Sequence, residues 1–300
     1  MTLQRRKAGN IKAMVKRVAT INDLSGLGKC SLTVALPVLS ILGVQACPLP
    51  TAVLTAQTGF SSFYLDDYTE KIHHYMTHWN ALGVHFDGIY TGFLANEAQV
   101  AEILEFIRCF RKPGTLLLVD PVMGDHGKIY STYTPALCER MAHLVSLADA
   151  ITPNLTEACI LANVDYEELI SHQKEADYLE RISSLGCKLT ELGPKTVVIT
   201  GIHVTEYDCD YIYNLVVENG QVSFAKSRTY GGGYSGTGDI YASILCGYLL
   251  QGRSAAAAAQ KAASFIEVAL KETHEAGIDR NEGILFEPHL GMLLEEGKST

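Results

Sequence analysis

Short, strongly apolar runs alternate with longer segments of mixed polarity along most of the chain. The short runs have the length of strands and the longer segments have helical spacing. Predicted strands lie at 17–21, 51–55, 87–92, 115–120, 149–152 and 196–200. Predicted helices lie at 30–42, 66–81, 95–110, 134–147 and 155–185, the last with a break near Asn163. Strands that are apolar on both faces and separated by helices are typical of a mostly parallel sheet covered on both sides.

The pattern changes after residue 205. Two runs rich in β-formers flank Asn219-Gly220, a dipeptide that strongly favours a two-residue hairpin turn. Helices are predicted again at 239–251, 254–275 and 283–294. Because no linker or repeat divides the chain, the sequence predicts one α/β domain with a late β-hairpin, over residues 17–300.

Composition and charge narrow the range of functions. The 300 residues are 47% hydrophobic and 19% charged, and the net charge of −9 argues against nucleic-acid binding. The first seventeen residues hold a basic cluster before the first apolar run: Arg5, Arg6, Lys7, Lys12, Lys16 and Arg17. We expect residues 1–16 to be a disordered extension. With no apolar run of about 18 residues, no membrane span is predicted, and eight scattered cysteines without a CxxC pair suit a cytoplasmic protein.

Polar and acidic residues follow the ends of the predicted strands. They are Asn22, Asp23, Gln57, Thr58, Asp120, Asp125, Asn154, Glu157 and Thr200, with Phe93 as an aromatic companion. In open α/β sheets, ligands bind beyond the carboxyl ends of the strands. The sequence therefore predicts a binding site at this edge.

The glycine-rich segment 231–238 precedes Asp239 and an apolar helix. Its part "GGGYSG" (231–236) formally fits GxGxxG, but it follows a hairpin and not the first strand of a βαβ unit, which disfavours dinucleotide binding. The segment "GLGKCS" (26–31) fails as a P-loop, because Asp23 and Cys30 stand where glycine and a hydroxyl are required. Glycine-loop amides and a helix dipole would suit a phosphate. Asp239 would then be either a proton acceptor or a helix cap.

Six segments in order resemble the ribokinase-like small-molecule kinases, and within them the pyridoxal kinases, from Val18 onward. They are "TGF" (58–60), "YTGFL" (90–94), "DPVMGDHGKIY" (120–130), "ITPNLTEA" (151–158), "VVITG" (197–201) and "GTGD" (236–239). The resemblance implies a three-layer sandwich and ATP-dependent phosphorylation of the 5'-hydroxymethyl group of pyridoxal, pyridoxine or pyridoxamine.

The resemblance also implies a role for individual residues. Asp239 would be the catalytic base, and the amides of Gly236, Thr237 and Gly238 would stabilise the transferred phosphoryl group. The residues implied on the Mg-ATP side are Asp120, Asp125, Thr152, Asn154, Glu157 and Thr200. Asp120 and Glu157 would contact Mg²⁺, at a strand edge that we expect to face solvent. Residues 126–132 would form a lid.

On the acceptor side, the resemblance places Asp23 and Thr58 at the ring's polar substituents and Phe93 near the ring. Many animal-type pyridoxal kinases carry serine where Asp23 stands, and "DLSGLG" (23–28) is more similar to hydroxymethylpyrimidine kinases. Against that, the pyrimidine kinases typically read GTGC where this chain reads GTGD. A hydroxymethylpyrimidine kinase and a catalytically silent ligand-binding homologue stay open as alternatives. A homodimer is expected, and a requirement for a monovalent cation such as K⁺ stays open.

Overall fold

The computed structural model describes residues 15–130 and 133–294. The basic residues Arg5, Arg6, Lys7 and Lys12, and the last two residues of the expected lid, lie outside this part of the chain. The predicted N-terminal extension and the domain boundary at residue 17 therefore stay predictions.

Within the described residues, nine strands form one mixed sheet. In chain order they are β1 (Arg17–Ser25), β2 (Gln45–Leu54), β3 (Leu65–Asp67), β4 (Gly88–Thr91), β5 (Leu116–Val119), β8 (Ala150–Ile151), β9 (Thr196–Glu206), β10 (Cys209–Glu218) and β11 (Gln221–Arg228). Their order across the sheet is β11-β10-β9-β8-β5-β4-β1-β2-β3. Six neighbouring strands, β2-β1-β4-β5-β8-β9 in sheet order, pair in parallel. The strand β3 at one edge and the strands β10 and β11 at the other pair antiparallel. The prediction of a mostly parallel sheet is confirmed.

A separate two-stranded ribbon, β6 (Gly124–Asp125) and β7 (Lys128–Ile129), stands beyond the end of β5. Its turn and its second strand fall inside the segment 126–132 that is expected to form the lid, and its first strand precedes that segment. Its turn places His126 and Gly127 at positive φ, which lets the two short strands reverse direction.

Helices cover both faces of the large sheet. They are α1 (Ser31–Ile41), α2 (Ile72–Ala81), α3 (Glu97–Phe110), α4 (Pro135–Ser146), α5 (Leu155–Ala162), α6 (Tyr166–Ser171), α7 (Tyr178–Thr190), α8 (Thr237–Leu250) and α9 (Ala255–Glu275). The helices α1, α8 and α9 form one apolar core with alternate sheet residues such as Val18 and Leu118. The other helices form a second core against residues such as Ile21 and Leu117. This is the predicted three-layer arrangement.

Two predicted helices are wrong in part. The segment 66–81 begins as strand β3 and a 3-10 turn, Thr69–Lys71, before α2 starts at Ile72. Asp67 accepts the amide of Thr69 and so starts the turn. The segment 283–294 is not an α-helix but the 3-10 helix Glu287–Leu293, preceded by Arg280–Glu282. Its residues Pro288 and Gly291 disfavour a regular α-helix.

Other boundaries moved less. The strand predicted at 51–55 is the end of β2. The part of β2 before residue 51 contains Pro48 and Pro50, which lack a ladder donor. The break near Asn163 is confirmed, with Asn163 itself left-handed at φ 50°, but a second break separates α6 from α7. The hairpin at Asn219-Gly220 is confirmed, because both residues have positive φ and Glu218 pairs with Gln221. No helix in the described ranges is long and apolar enough to cross a membrane.

Candidate active site

The glycine loop ends where α8 begins, and Gly236 is the N-cap residue of that helix. Its φ of 80° is left-handed, and a β-carbon there would lie 1.8 Å from the carbonyl oxygen of Lys29. Only glycine fits this position. No side chain of the described residues caps α8, so the amides of its first turn, Thr237 and Gly238 among them, are not used by a capping group. These amides and the helix dipole make the helix start suited to an anion.

Asp239 lies in the first turn of α8, half-buried beside the end of β1. Its Oδ1 accepts a hydrogen bond from Asn22 Nδ2 at 3.2 Å. Burial raises the pKa of Asp239 to about 6, and the charge of Asp23 contributes to the rise, while hydrogen bonds from the Ser31 amide and Asn22 oppose it. A carboxyl group with such a pKa is ionised at neutral pH and still basic enough to take a proton.

Asp120 directly follows β5, at the edge where the carboxyl ends of the parallel strands meet. Burial, together with the negative charge of Asp239, raises the pKa of Asp120 to about 8. The buried Thr152 hydroxyl lies close enough to lower this pKa somewhat, without a full hydrogen bond to any of the described residues. Asp120 and Asp239 are therefore near enough for their charges to interact.

Glu157 is buried at the start of α5. Its Oε1 accepts the Met123 amide at 3.0 Å and its Oε2 accepts the Asn154 amide at 2.8 Å. Burial and the charge of Asp120 raise the pKa of Glu157 well above its usual range. The expectation that Asp120 and Glu157 face solvent is wrong, since only 8% and 3% of their surfaces are exposed. The Glu157 carboxyl group lies against the segment that leads into the β6–β7 ribbon, through its hydrogen bond from Met123.

The charge of Asp120 thus interacts with those of Glu157 and Asp239, and within the described residues no hydrogen bond or ion pair joins any of the three to a lysine or arginine. Such an arrangement fits a divalent cation, which takes a few carboxylate oxygens and completes its shell with water and phosphate. The described residues contain no group of three or more His, Cys, Asp or Glu placed to hold a metal alone. The three carboxyl groups therefore suit a cation that also binds a phosphate ligand.

The remaining residues implied on the nucleotide side lie around this cluster. Asn154 Nδ2 donates to the Gly124 carbonyl, and its backbone forms a parallel bridge with Thr200. Thr200 also donates its amide to the Pro153 carbonyl. Asp125 lies on β6, exposed, and accepts the His126 amide. Strand ends, α5 and the ribbon therefore meet at one edge of the sheet.

The acceptor side is less uniform. Asp23 is buried, and its two oxygens accept the hydroxyls of Ser31 at 2.5 Å and Ser25 at 2.8 Å. Phe93 is partly buried against the core, and its amide donates to Asn22 Oδ1. Thr58 is exposed in the loop after β2. The structure brings Asp23 and Phe93 to Asn22, and Thr58 lies in a neighbouring loop.

Two residues of this region were not assigned a role from the sequence. Asn22 contacts Asp239 directly, and Gln57 joins two loops by donating to Ser235 Oγ at 3.2 Å and to the Asn281 carbonyl at 3.1 Å. Both follow predicted strands, and this position was the feature of the sequence that could have indicated a role in the site. Their partners lie about 180 to 220 positions away, so the pairing was invisible in the sequence.

A three-layer α/β sandwich with a glycine loop, a helix start free of capping groups and a nearby carboxylate defines a ribokinase-like kinase. The phosphomethylpyrimidine kinase family model matches residues 35–284, and the chain belongs to this family. A solved structure of a provisionally assigned phosphomethylpyrimidine kinase from Bacteroides thetaiotaomicron, in a crystal form with pyridoxal, is 36% identical. It covers 93% of this chain and 96% of its own, with a TM-score of 0.85.

Two further relatives are named as pyridoxal kinases. The structure of pyridoxal kinase from Lactobacillus plantarum is 27% identical, covers 94% of this chain and 97% of its own, and has a TM-score of 0.80. The pyridoxal kinase PdxY of Granulibacter bethesdensis is 29% identical over 64% of this chain. The chain spans 65% of the length of that curated relative.

Proposed function

We propose that the protein transfers the γ-phosphoryl group of ATP to the 5'-hydroxymethyl group of pyridoxal, pyridoxine or pyridoxamine. The observation that carries the proposal is the placement of Asp239, half-buried at a helix start whose amides are suited to phosphate. A carboxylate at such a position is electrostatically unfavourable beside phosphates, and proton acceptance gives it a function there. The similarity to a structure with pyridoxal supports the choice of acceptor.

In the proposed reaction the acceptor hydroxyl oxygen forms a bond to the γ-phosphorus, and the bond from that phosphorus to the bridging oxygen breaks to release ADP. Asp239 takes the hydroxyl proton. The amides of Gly236, Thr237 and Gly238 stabilise the charge on the transferred group, since backbone donors at a helix start need no reorganisation. The glycine at 236 lets the loop approach Lys29 closely enough to hold this geometry.

Mg²⁺ is the cation that the carboxyl cluster would hold with the ATP phosphates. Asp120 and Glu157 would contact it, directly or through water, and it would offset the negative charge that the triphosphate adds to the site. Asp125, Thr152, Asn154 and Thr200 complete the nucleotide side. The lid 126–132, which begins at the turn of the β6–β7 ribbon, would exclude water from it. The homodimer and the cytoplasmic location stay predictions, and a requirement for K⁺ stays open.

Asp23, Thr58 and Phe93 form the proposed acceptor side. A hydroxymethylpyrimidine kinase is the second candidate, because the matching family model describes phosphomethylpyrimidine kinases and residues 23–28 are similar to that group. A catalytically silent homologue is disfavoured, since such a protein has no need of a base beside a phosphate site.

One assay separates these candidates. The purified protein is incubated with ATP and Mg²⁺ and one acceptor at a time: pyridoxal, pyridoxine, pyridoxamine or hydroxymethylpyrimidine. Products are identified by mass. We expect monophosphates of the vitamin B6 compounds at a higher kcat/KM than that of the pyrimidine phosphate. Faster formation of the pyrimidine phosphate would select the second candidate, and no product with any acceptor would select the silent homologue.

A further inference from the structure

Asn22 connects three chain segments beneath the proposed base. It lies near the end of β1 and is only 1% exposed. Its Oδ1 accepts two backbone amides, from Phe93 at 2.9 Å and from Asp23 at 3.0 Å. Its Nδ2 donates to Asp239 Oδ1 at 3.2 Å. The side-chain amide therefore links β1, the segment after β4 and the start of α8.

The hydrogen bonds fix which way the amide points. An asparagine oxygen accepts and its nitrogen donates, so the two backbone amides of Phe93 and Asp23 can be satisfied only by Oδ1. The nitrogen must then face the Asp239 carboxylate. Because the protein itself supplies all three partners, the fold alone orients the donor.

The space for this amide depends on Gly92. A β-carbon at residue 92 would lie 2.4 Å from Asn22 Nδ2, and the Gly92 amide donates to the Ile21 carbonyl at 2.8 Å. The glycine backbone thus forms a wall against the asparagine side chain. The Asn22 amide is confined between a strand and the carboxylate, and has little freedom to rotate.

We infer that Asn22 is a positioning residue for Asp239. By donating to Asp239 Oδ1, Asn22 fixes the rotation of the Asp239 carboxylate. This rotation sets the direction in which Asp239 presents its oxygens to the acceptor hydroxyl. A displacement of about 1 Å at such a group can cost about a hundredfold in rate, which is the reason for a rigid support. The inference rests on the proposed function, in which Asp239 is the base.

The substitution that tests the role is Asn22→Asp. It keeps the size and the Oδ1 acceptor for Phe93 and Asp23 but replaces the donor by an oxygen that repels Asp239. We expect kcat to fall roughly tenfold to a hundredfold, with the KM for ATP within about twofold. A matched control is Asn96→Asp, because Asn96 Nδ2 donates to Asp67 and its Oδ1 accepts the Gln99 amide in the same manner. The control should keep wild-type kcat within about twofold.

A double-mutant cycle separates positioning from a general structural role. Introduced into Asp239→Asn, the Asn22→Asp substitution should lower kcat by no more than about twofold, because the carboxylate that it positions is gone. Equal losses in both backgrounds would overturn the inference. So would wild-type kcat in Asn22→Asp itself.

A second cycle uses no substrate and distinguishes failure of this inference from failure of the proposed function. Urea unfolding midpoints of the ligand-free wild type, both single variants and the double variant should be non-additive, because the two side chains are in contact. Non-additive midpoints with a fully active Asp239→Asn variant would overturn the proposed base and, with it, the positioning role. A different result would overturn the role of Asn22 alone and keep Asp239 as the base. In that result Asp239→Asn is inactive, and the effects of the two substitutions add up both in the urea midpoints and in kcat.

Discussion

Asn154 and Glu157 hydrogen-bond to each other in both directions across the first turn of α5. The Glu157 amide donates to Asn154 Oδ1 at 2.9 Å, and the Asn154 amide donates to Glu157 Oε2 at 2.8 Å. This capping box satisfies two backbone donors that the helix leaves free. Glu157 also accepts the Met123 amide. One carboxylate therefore stabilises the start of the helix and holds the Met123 segment beside the proposed cation site.

Glu157→Ala should therefore lower stability as well as the use of Mg-ATP. It leaves the buried amides of Met123 and Asn154 without an acceptor, which costs about 1–3 kcal/mol for each unsatisfied group. Urea unfolding measures this loss, and Glu157→Gln, which keeps an acceptor oxygen, should lose less. Asp125→Ala is the control for stability, because Asp125 is exposed and its carboxylate contacts its neighbour His126, through the backbone amide at 2.8 Å and the imidazole at 3.5 Å. A wild-type midpoint for Glu157→Ala would contradict the structural role.

Asp120→Asn should stabilise the protein in the absence of divalent cations. An aspartate has a pKa of about 3.9 in an unfolded chain, and that of folded Asp120 is raised to about 8, by burial first. Between these values the folded state binds more protons than the unfolded state, so stability falls as pH rises. The neutral asparagine avoids this loss.

Melting curves at several pH values, with EDTA or with Mg²⁺ and ATP, test this. Between about pH 4 and pH 8, the wild-type Tm should fall relative to the variant Tm. The fall should be about 2 °C for each kcal/mol of unfolding free energy that the wild type loses. The two should converge below pH 4, where both side chains are neutral. Mg-ATP should raise the wild-type Tm more than the variant Tm. A variant that is less stable than the wild type at pH 8 in EDTA would show that the Asp120 charge is compensated.

Gly236→Ala should disrupt the start of α8. The added β-carbon would overlap the Lys29 carbonyl at 1.8 Å, and the alanine would have to adopt a φ of 80°. We expect a loss of stability above about 1 kcal/mol and a fall in ATP affinity. Gly232→Ala is the matched control, since that glycine does not have positive φ and no atom of the described residues lies within 4 Å of where its β-carbon would be. Equal urea midpoints and equal ATP affinities for the two variants would contradict the close approach.

The layered fold could be predicted because local pattern and long-range structure agree. The strands that form the sheet centre are apolar on both faces, and Asn219-Gly220 forms its turn by local chemistry alone. The structure departs from the pattern where distant partners decide. Asp67 lies in a strand because it pairs with Ala52. The turn between β9 and β10 uses Tyr207 and Asp208 at positive φ, which no common turn signal indicates.

The site was predictable as a collection of strand ends but not as a set of contacts. Asp120 and Asp239 were identifiable from motifs, whereas the burial of Glu157 follows from the chain segment through Met123 that packs over it. Asn22 faces Asp239 only because the assembled fold brings the end of β1 to the start of α8 across 217 positions of sequence. Contacts of that kind depend on the assembled sheet and have no local signature.

Asp23→Ser should alter the preference among acceptors more than turnover with the best acceptor. The residue belongs to the proposed acceptor side, and a contact to a remote ring substituent mainly changes substrate binding. The hydroxyls of Ser25 and Ser31 would lose their acceptor, so Asp23→Asn serves as a control that keeps one acceptor oxygen. Steady-state kcat and KM for the three B6 compounds measure the effect. Loss of kcat at unchanged KM for every acceptor would move Asp23 to the chemical step.

The pH dependence of kcat/KM should report Asp239. A base must be ionised, and burial raises the pKa of Asp239 to about 6 in the free protein. Activity should therefore fall about tenfold for each pH unit below 6 and level off above it. Asn22→Asp should move this midpoint upward, because a second carboxylate beside Asp239 disfavours ionisation. A profile that is flat down to pH 5 would exclude Asp239 as the group that limits the rate.

Asp239→Asn gives the most direct measure of the base. The substitution keeps the shape of the side chain but cannot accept the hydroxyl proton. We expect turnover with pyridoxal to fall by roughly 10²–10⁴-fold, the usual contribution of a positioned base. ATP affinity, measured by calorimetry on the same preparation, should be kept or slightly increased, because a negative charge near the phosphates is removed. Near-normal turnover would reduce Asp239 to a first-turn residue that favours the helix dipole. Loss of ATP binding together with turnover would instead indicate that Asp239 shapes the phosphate site.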